Sequence, residues 1–209
     1  MANSITIFGD SITFGACDSE NGGWCGRLKR YFEVKGDNYR LYNLGISGNT
    51  SFDILERFDI EAKARIKFKR ELDRHMVMFA VGLNDSYIDL EDNTPSVDLD
   101  IFKNNIKALI EKAKSYTKEI VCIGIIPVDD ELSLNWEGVN FTNERIQKYN
   151  NAINEICSMN GILFFDIYQD FSKLNCKELL YDGLHPNTLG YEKMYELIKD
   201  FLILNKIID

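Results

Sequence analysis

Histidine and proline are scarce in this chain, at two and three residues of 209. His75 and His185 are the only imidazoles, and the five cysteines show no C-x-x-C spacing, so the sequence offers no zinc-ligand pattern. No metal and no cofactor are expected. Five is also an odd number, too small for a disulfide scaffold. Cys17, Cys25, Cys122, Cys157 and Cys176 read as reduced thiols, partly core, in a reducing compartment. Basic charge is short as well: 24 Lys and Arg against 33 Asp and Glu leave −9. Counterion release needs clustered cations, so a nucleic-acid partner is not expected. The same sign disfavours an anionic membrane surface. The longest apolar stretch, Ile120–Val128, is far too short to span a bilayer. Met1–Ser4 carries no basic side chain and a strand pattern starts at Ile5, so no signal peptide is read and a cytoplasmic protein is expected.

What is present is an ordinary globular composition, 45% hydrophobic and 27% charged, long enough for a sizeable core. No internal repeat or linker divides it, so residues 1–209 read as a single domain. Short apolar runs alternate with amphipathic helices. Ile5–Phe8 is a β-type run. Trp24, Leu28, Tyr31 and Phe32 follow at helical spacing, with Gly36 as a C-terminal cap. Tyr39–Leu44 is a second strand, and Ser51 to about Lys69 is helical, in one piece or two. Met76–Val81 is continuously apolar, as a strand covered on both faces requires.

The second half repeats this rhythm. Asp98 caps a helix that turns Phe102, Ile106, Leu109 and Ala113 inward. Ile120–Ile126 is a fourth strand, and Pro127–Phe141 is a loop. Ile146, Tyr149, Ile153, Ile156 and Cys157 mark a helix closed by Asn160-Gly161. Ile162–Phe165 is a fifth strand, and Asn187–Leu204 is the last helix. Five strands alternating with helices predict an α/β fold, a three-layer α/β/α sandwich on a five-stranded parallel sheet. Right-handed crossovers leave few topologies, of which the flavodoxin-like order 2-1-3-4-5 fits. That order opens a crevice beyond the carboxyl ends of strands 1 and 3.

The segments at those ends carry the chemistry. Gly9-Asp10-Ser11-Ile12 follows strand 1, Gly45-Ile46-Ser47-Gly48-Asn49-Thr50-Ser51 follows strand 2, and Gly82-Leu83-Asn84-Asp85 follows strand 3. Asp182-Gly183-Leu184-His185-Pro186 precedes the last helix. Acyl transfer needs a nucleophile, a base, an orienting acid and oxyanion donors. Ser11 offers a hydroxyl on a Gly-flanked turn. His185 offers an imidazole, and Asp182 lies three residues before it. Gly48 offers an unobstructed N–H, and Asn84 offers an amide.

Each block has a plainer reading. The first loop could be a turn or a phosphate cradle, which would make the chain a non-catalytic flavin-binding module; that reading leaves Asp182 and His185 unexplained. Those two could simply start a helix. Ser47 is a rival nucleophile, but Gly45-Ile46-Ser47-Gly48-Asn49 breaks the G-x-S-x-G pattern at its fifth position. Asn84 alone could be a turn residue, and Asp85 reads as structural. His75, beside Arg74 and ahead of a strand, reads as a surface histidine. Trp24 reads as core, and Trp136 as a loop anchor or a substrate contact.

Taken in order, the four blocks resemble the SGNH (GDSL-type) hydrolases over nearly the whole chain, from Gly9 to Pro186. The resemblance implies metal-free hydrolysis of esters or thioesters. It also implies Ser11 as nucleophile, His185 as base, Asp182 as its orienter, and Ser11 N–H, Gly48 N–H and the Asn84 side chain as the oxyanion hole. The first block reads Gly-Asp-Ser-Ile, an apolar exchange that changes nothing chemical. A small-molecule ester is the expected partner, with a thioesterase or lysophospholipase as the alternative on the same fold. The loop Pro127–Phe141 carries Asp129, Asp130, Glu131, Glu137 and Trp136 and no basic residue. If it covers the site, it favours short acyl groups on neutral alcohols such as acetylated sugars; if it folds away, its charges are merely solvated.

Overall fold

Parallel register sets where the functional residues emerge. The computed structural model describes residues 3–36, 39–66 and 73–208. β1 (Asn3–Gly9) leads through the one-turn α1 (Ser11–Phe14) and α2 (Gly23–Lys35) to β2 (Tyr39–Gly45). Next come α3 (Ser51–Arg65), β3 (Arg74–Ala80), the short α4 (Leu83–Ser86) and the two-residue β4 (Ile88–Asp89). Then α5 (Leu99–Lys114), β5 (Glu119–Ile123), β6 (Val139–Asn140) and α6 (Asn143–Asn160) lead to β7 (Leu163–Phe165). Last are α7 (Ile167–Phe171), α8 (Cys176–Leu179) and α9 (Thr188–Leu204).

The main sheet runs β2-β1-β3-β5-β7, parallel throughout, which is the expected 2-1-3-4-5 order. The chain moves one way from β1 to β2 and the other way from β2 to β3, so right-handed crossovers put α2 and α3 on opposite faces. The packing agrees: α2 lies against α9, while α3, α5 and α6 pack in series. Three layers result. Gly9 pairs with Gly45 on one side and Ala80 on the other, so three strands end level and their following loops share one rim.

The central strands are buried on both faces, which is why they read as unbroken apolar runs. Ile5, Ile7, Phe8, Val77, Met78 and Phe79 are all in the core. Phe8, Phe58 and Phe79 form an aromatic cluster between sheet and α3, with centroids 4.9–5.8 Å apart. Burying each such side chain contributes about 1.5–3 kcal/mol before entropy is subtracted. Trp24 lies in the core under α2, as its spacing predicts. Caps fix where the helices begin and end. Thr50 and Asp53 form a reciprocal capping box on α3, and Thr142 and Asn187 cap α6 and α9. Gly36 and Gly161 end α2 and α6 in the left-handed conformation.

Several expectations need correction. The helix from Ser51 stops at Arg65, because Ile66 turns extended and buries its side chain; residues 67–69 lie outside the described chain. The fourth strand ends at Ile123, not Ile126. Beyond it Gly124 N–H still reaches the Phe165 carbonyl at 2.8 Å, but the Ile125 N–H turns to Asn150 Oδ1, so the buried residues 125–126 leave the ladder. The loop Pro127–Phe141 is not structureless, since its β6 pairs antiparallel with β4. His75 is buried, not at the surface. The third strand starts two residues earlier than its apolar run, which places His75 beside Ser4 on β1, with Nδ1 against the Ser4 hydroxyl. Among the described residues, no helix is long and apolar enough to cross a membrane.

Candidate active site

Ser11 is the first residue of α1, directly beyond β1. Asp10 caps that turn by accepting the Ile12 N–H at 3.0 Å, and Gly15 ends it in the left-handed conformation. The turn lies tight on the sheet. A Cβ on Gly9 would sit 2.5 Å from the Ala80 carbonyl oxygen, and one on Gly45 would sit 2.2 Å from the Phe14 nitrogen. Glycine at both strand ends therefore lets α1 rest on the rim.

His185 and Asp182 come from the loop between α8 and α9. Tyr181 N–H donates to the His185 carbonyl at 2.7 Å, and Asn187 N–H donates to that of Leu179 at 2.9 Å. These bonds close the loop on itself. Asp182 Oδ1 accepts the backbone N–H groups of Leu184 and His185 at 3.0 and 2.7 Å. Its Oδ2 lies 2.8 Å from His185 Nδ1, and His185 Nε2 lies 2.9 Å from Ser11 Oγ. Partial burial opposes ionisation of Asp182. The imidazole bond and the two N–H donors outweigh it and bring the carboxyl down to about 2. An ionised Asp182 accepts a hydrogen bond from Nδ1–H, which fixes that tautomer and leaves the lone pair of Nε2 facing the serine. Ser11 and His185 are both buried, at 6% and 8% exposure, so the hydroxyl–imidazole contact is largely shielded from water.

The opposite wall is built from the loop after β2 and from α4. Gly48 is exposed, at φ 79, where a glycine is favoured. Asn84 Nδ2 donates one N–H to the Asn49 carbonyl at 3.0 Å, which ties α4 to the Gly48 loop. A second tie gives Asp85 the structural part read for it, through partners that the sequence did not reveal. Asp85 receives the Ser51 N–H on Oδ1 and Oδ2 at 2.9 and 3.0 Å, and the Ser51 hydroxyl at 2.5 Å. Asn105 donates to the same hydroxyl at 3.0 Å. Burial raises Asp85 to about 7, against the pull of the Ser51 donors. Burial likewise raises Asp10 to about 6, against the Ile12 N–H and His185. Arg57 is the third tie. It donates to Asn49 Oδ1 at 2.9 Å, to the Leu44 carbonyl at 2.8 Å and to the Gly9 carbonyl at 3.3 Å.

Trp136 does reach the site. Its ring centroid lies 6.0 Å from that of His185, and Phe141 packs edge-on behind it. The loop 127–141 therefore borders the site and does not fold away. Asp129 N–H donates to the Gly183 carbonyl at 2.9 Å, and Leu132 packs on Gly183. Its acids are largely engaged: Asp130 holds the start of α6 through Asn143, and Glu131 pairs with Lys177. Cys17 also comes close to the relay, which spacing along the chain gave no means to foresee. One ligand atom each from Cys17, Asp182 and His185 lie within 4.8 Å of one another.

The chain as a whole resembles known proteins. The model of the GDSL-like lipase/acylhydrolase family matches residues 7–193. Comparison with curated protein sequences gives no match. Among solved structures, a lipase/acylhydrolase from Enterococcus faecalis superposes with a TM-score of 0.78 at 23% identity, covering 97% of this chain and 95% of that one. The acetyl xylan esterase AlAXEase gives 0.77 at 22% identity, covering 95% and 99%. Axe2, an acetylxylan esterase from Geobacillus stearothermophilus, gives 0.72 at 20% identity, covering 96% and 92%. Catalytic mutants of Axe2 at a serine, an aspartate and a histidine match as well. At these identities the structures establish the shared fold, while the family match spans most of the sequence. The chain belongs to the GDSL-like lipase/acylhydrolase family and is a hydrolase acting on ester bonds.

Proposed function

We propose that the chain hydrolyses carboxylic esters through an acyl-enzyme on Ser11. The observation that carries this reading is the unbroken relay from Ser11 Oγ through both ring nitrogens of His185 to Asp182, with steps of 2.9 and 2.8 Å. Ser11 Oγ attacks the ester carbonyl while His185 Nε2 takes its proton. The negative charge gathers on the former carbonyl oxygen, which the Ser11 and Gly48 N–H groups and the second N–H of Asn84 receive. Asp182 holds the imidazolium that forms. Collapse breaks the bond to the alcohol, which leaves with the proton from His185. Water then repeats the sequence on the acyl-serine and releases the acid.

The substrates of this reading are short acyl esters, acetyl above all, on neutral alcohols such as sugars. Trp136 beside His185 supplies a face on which a sugar ring can stack. The net charge of −9 slows anionic substrates such as acyl-CoA.

Ser11→Ala is expected to lower kcat for p-nitrophenyl acetate to the background rate, while the urea midpoint stays near wild type because little packing is lost. Turnover near wild type would remove Ser11 from this role and direct the same test to Ser47. For the substrate, kcat/KM should fall from acetyl to butyryl to octanoyl esters. A preference for octanoyl, or fast acyl-CoA hydrolysis at low salt, would overturn the short-acyl assignment.

A further inference from the structure

We propose that Cys17, Asp182 and His185 form a binding site for a thiophilic divalent cation such as Zn²⁺, and that the bound ion switches the hydrolase off. The inference rests on the assignment of His185 as the base. Three donors of different kinds, a thiol, a carboxylate and an imidazole, meet within 4.8 Å. A tetrahedral zinc with bonds of about 2.0–2.3 Å keeps its ligands roughly 3.3–3.8 Å apart, so side-chain adjustments of about 1 Å complete the site. The donor set selects the metal. Sulfur and imidazole favour zinc and its soft neighbours, whereas Mg²⁺ and Ca²⁺ require oxygen. Three protein ligands leave a fourth position for water.

The backbone holds Cys17 where it is needed. Cys17 has φ 66, a left-handed conformation that a non-glycine residue seldom adopts. The turn around it is pinned on both sides. Ala16 N–H donates to the Ser11 carbonyl at 3.0 Å, and the Tyr191 hydroxyl donates to the Ala16 carbonyl at 2.8 Å. On the other side, Asp18 pairs with Arg27 and accepts the Thr188 hydroxyl at 3.1 Å. Thr188 lies three residues after His185, so one carboxylate ties the Cys17 turn to the segment that carries the imidazole. The thiol is exposed and open to an arriving ion. The thiol binds a metal as the thiolate, so coordination releases its proton.

Inhibition follows whichever ring nitrogen binds. If the ion takes Nε2, the lone pair that accepts the Ser11 proton is gone. If it takes Nδ1, the ring proton moves to Nε2, which then donates and cannot accept. In both cases the Asp182–His185–Ser11 relay is broken.

The test uses the purified chain, stripped with EDTA and dialysed. Zn²⁺ is titrated against p-nitrophenyl acetate hydrolysis for wild type and Cys17→Ser, with Mg²⁺ as the control ion. Cys17→Ser is expected to match wild type without metal and to need at least ten times more Zn²⁺ for half-inhibition. EDTA should restore wild-type activity. A second measurement does not depend on turnover: Co²⁺ added to Ser11→Ala should produce a sulfur-to-cobalt charge-transfer band at one ion per chain. The band should be missing from the Ser11→Ala, Cys17→Ser double variant. Equal Zn²⁺ sensitivity of wild type and Cys17→Ser, or no sulfur band with Co²⁺, would overturn the proposal. Turnover by Ser11→Ala would instead overturn the assigned mechanism, so the two failures are distinguishable.

Discussion

Asp182 and Asp85 flank the Ser11 turn from opposite sides, and their carboxyls are displaced in opposite directions. Asp182 is brought down to about 2, whereas Asp85 is pushed up to about 7. Both receive several short hydrogen bonds, so the number of donors does not explain the difference. Depth does. The Asp182 side chain keeps 26% of its surface in water, and one of its donors is an imidazole that can carry positive charge. Asp85 is fully buried, its donors come from a neutral serine, and the charge of Asp10 lies near enough to oppose its own. The relay wall thus uses a carboxylate as a charge, while the opposite wall uses a carboxyl as a clamp between α4 and the start of α3.

Single substitutions on each side should separate the two walls. Asp182→Asn is expected to have the largest effect of these, lowering kcat by about 10⁴ through the wrong imidazole tautomer. The urea midpoint should fall modestly at neutral pH, because the partly exposed carboxylate held ionised in the fold no longer contributes. A loss below tenfold would break the division, because the relay would then work without its charge. Next comes Asn84→Ala on the clamp wall, expected to lower kcat by about 10²–10³ with KM nearly constant. A rise in KM alone would make Asn84 a substrate contact and not an oxyanion donor.

These assignments drew on residues legible in the sequence because their signals are local. Met76–Val81 announces a doubly covered strand by composition alone. Asp182 and His185 lie three positions apart, so one short loop can join them. The ties that hold the site were not legible. Ser51 and Asp85 are 34 residues apart, and only the level ends of β1, β2 and β3 bring their loops together. Arg57 is one of several charged residues along α3, with nothing local to single it out, yet it reaches three acceptors on the rim. Cys17 and His185 meet only because α2 and α9, the helices that follow them, pack side by side. His75 misled for the reverse reason, since a polar pair Arg74-His75 hid two strand residues.

Arg57 sharpens the comparison from the clamp side. Its guanidinium joins the end of β1, the end of β2 and the Gly48 loop, and it acts on the reaction only through them. Arg57→Met keeps much of the stem packing and leaves two carbonyls short of a donor. That should cost about 1–3 kcal/mol in stability. The Gly48 loop then loosens, and kcat should fall roughly tenfold, by about 1.4 kcal/mol in the barrier, with KM little changed. Arg57→Lys should recover part of both. If Arg57→Met loses stability but keeps full kcat, the clamp is structural and does not position the oxyanion donors.

The smallest expected effect is a pH slope, and it tests the opposite displacements directly. A carboxyl raised in the fold holds its proton where the unfolded chain has already lost it. For Asp85 that window runs from 3.8 to about 7. Within it folding takes up a proton, so stability falls as pH rises, at no more than about 1.4 kcal/mol per pH unit for one group. Asp10 adds the same sign between 3.8 and about 6. Asp182 works the other way: its contribution is present above 3.8 and is lost as pH falls toward 2. Self-repulsion of a chain at −9 also weakens the fold as pH rises, so wild type alone cannot identify the group. Urea unfolding of wild type and Asp85→Asn at pH 5, 6 and 7 separates them, because both share the remaining charges. The variant should show the shallower decline, since Asn cannot ionise and still accepts the Ser51 N–H. Parallel slopes would mean that Asp85 is ionised throughout this range, and the contrast between the two walls would then lie in geometry alone.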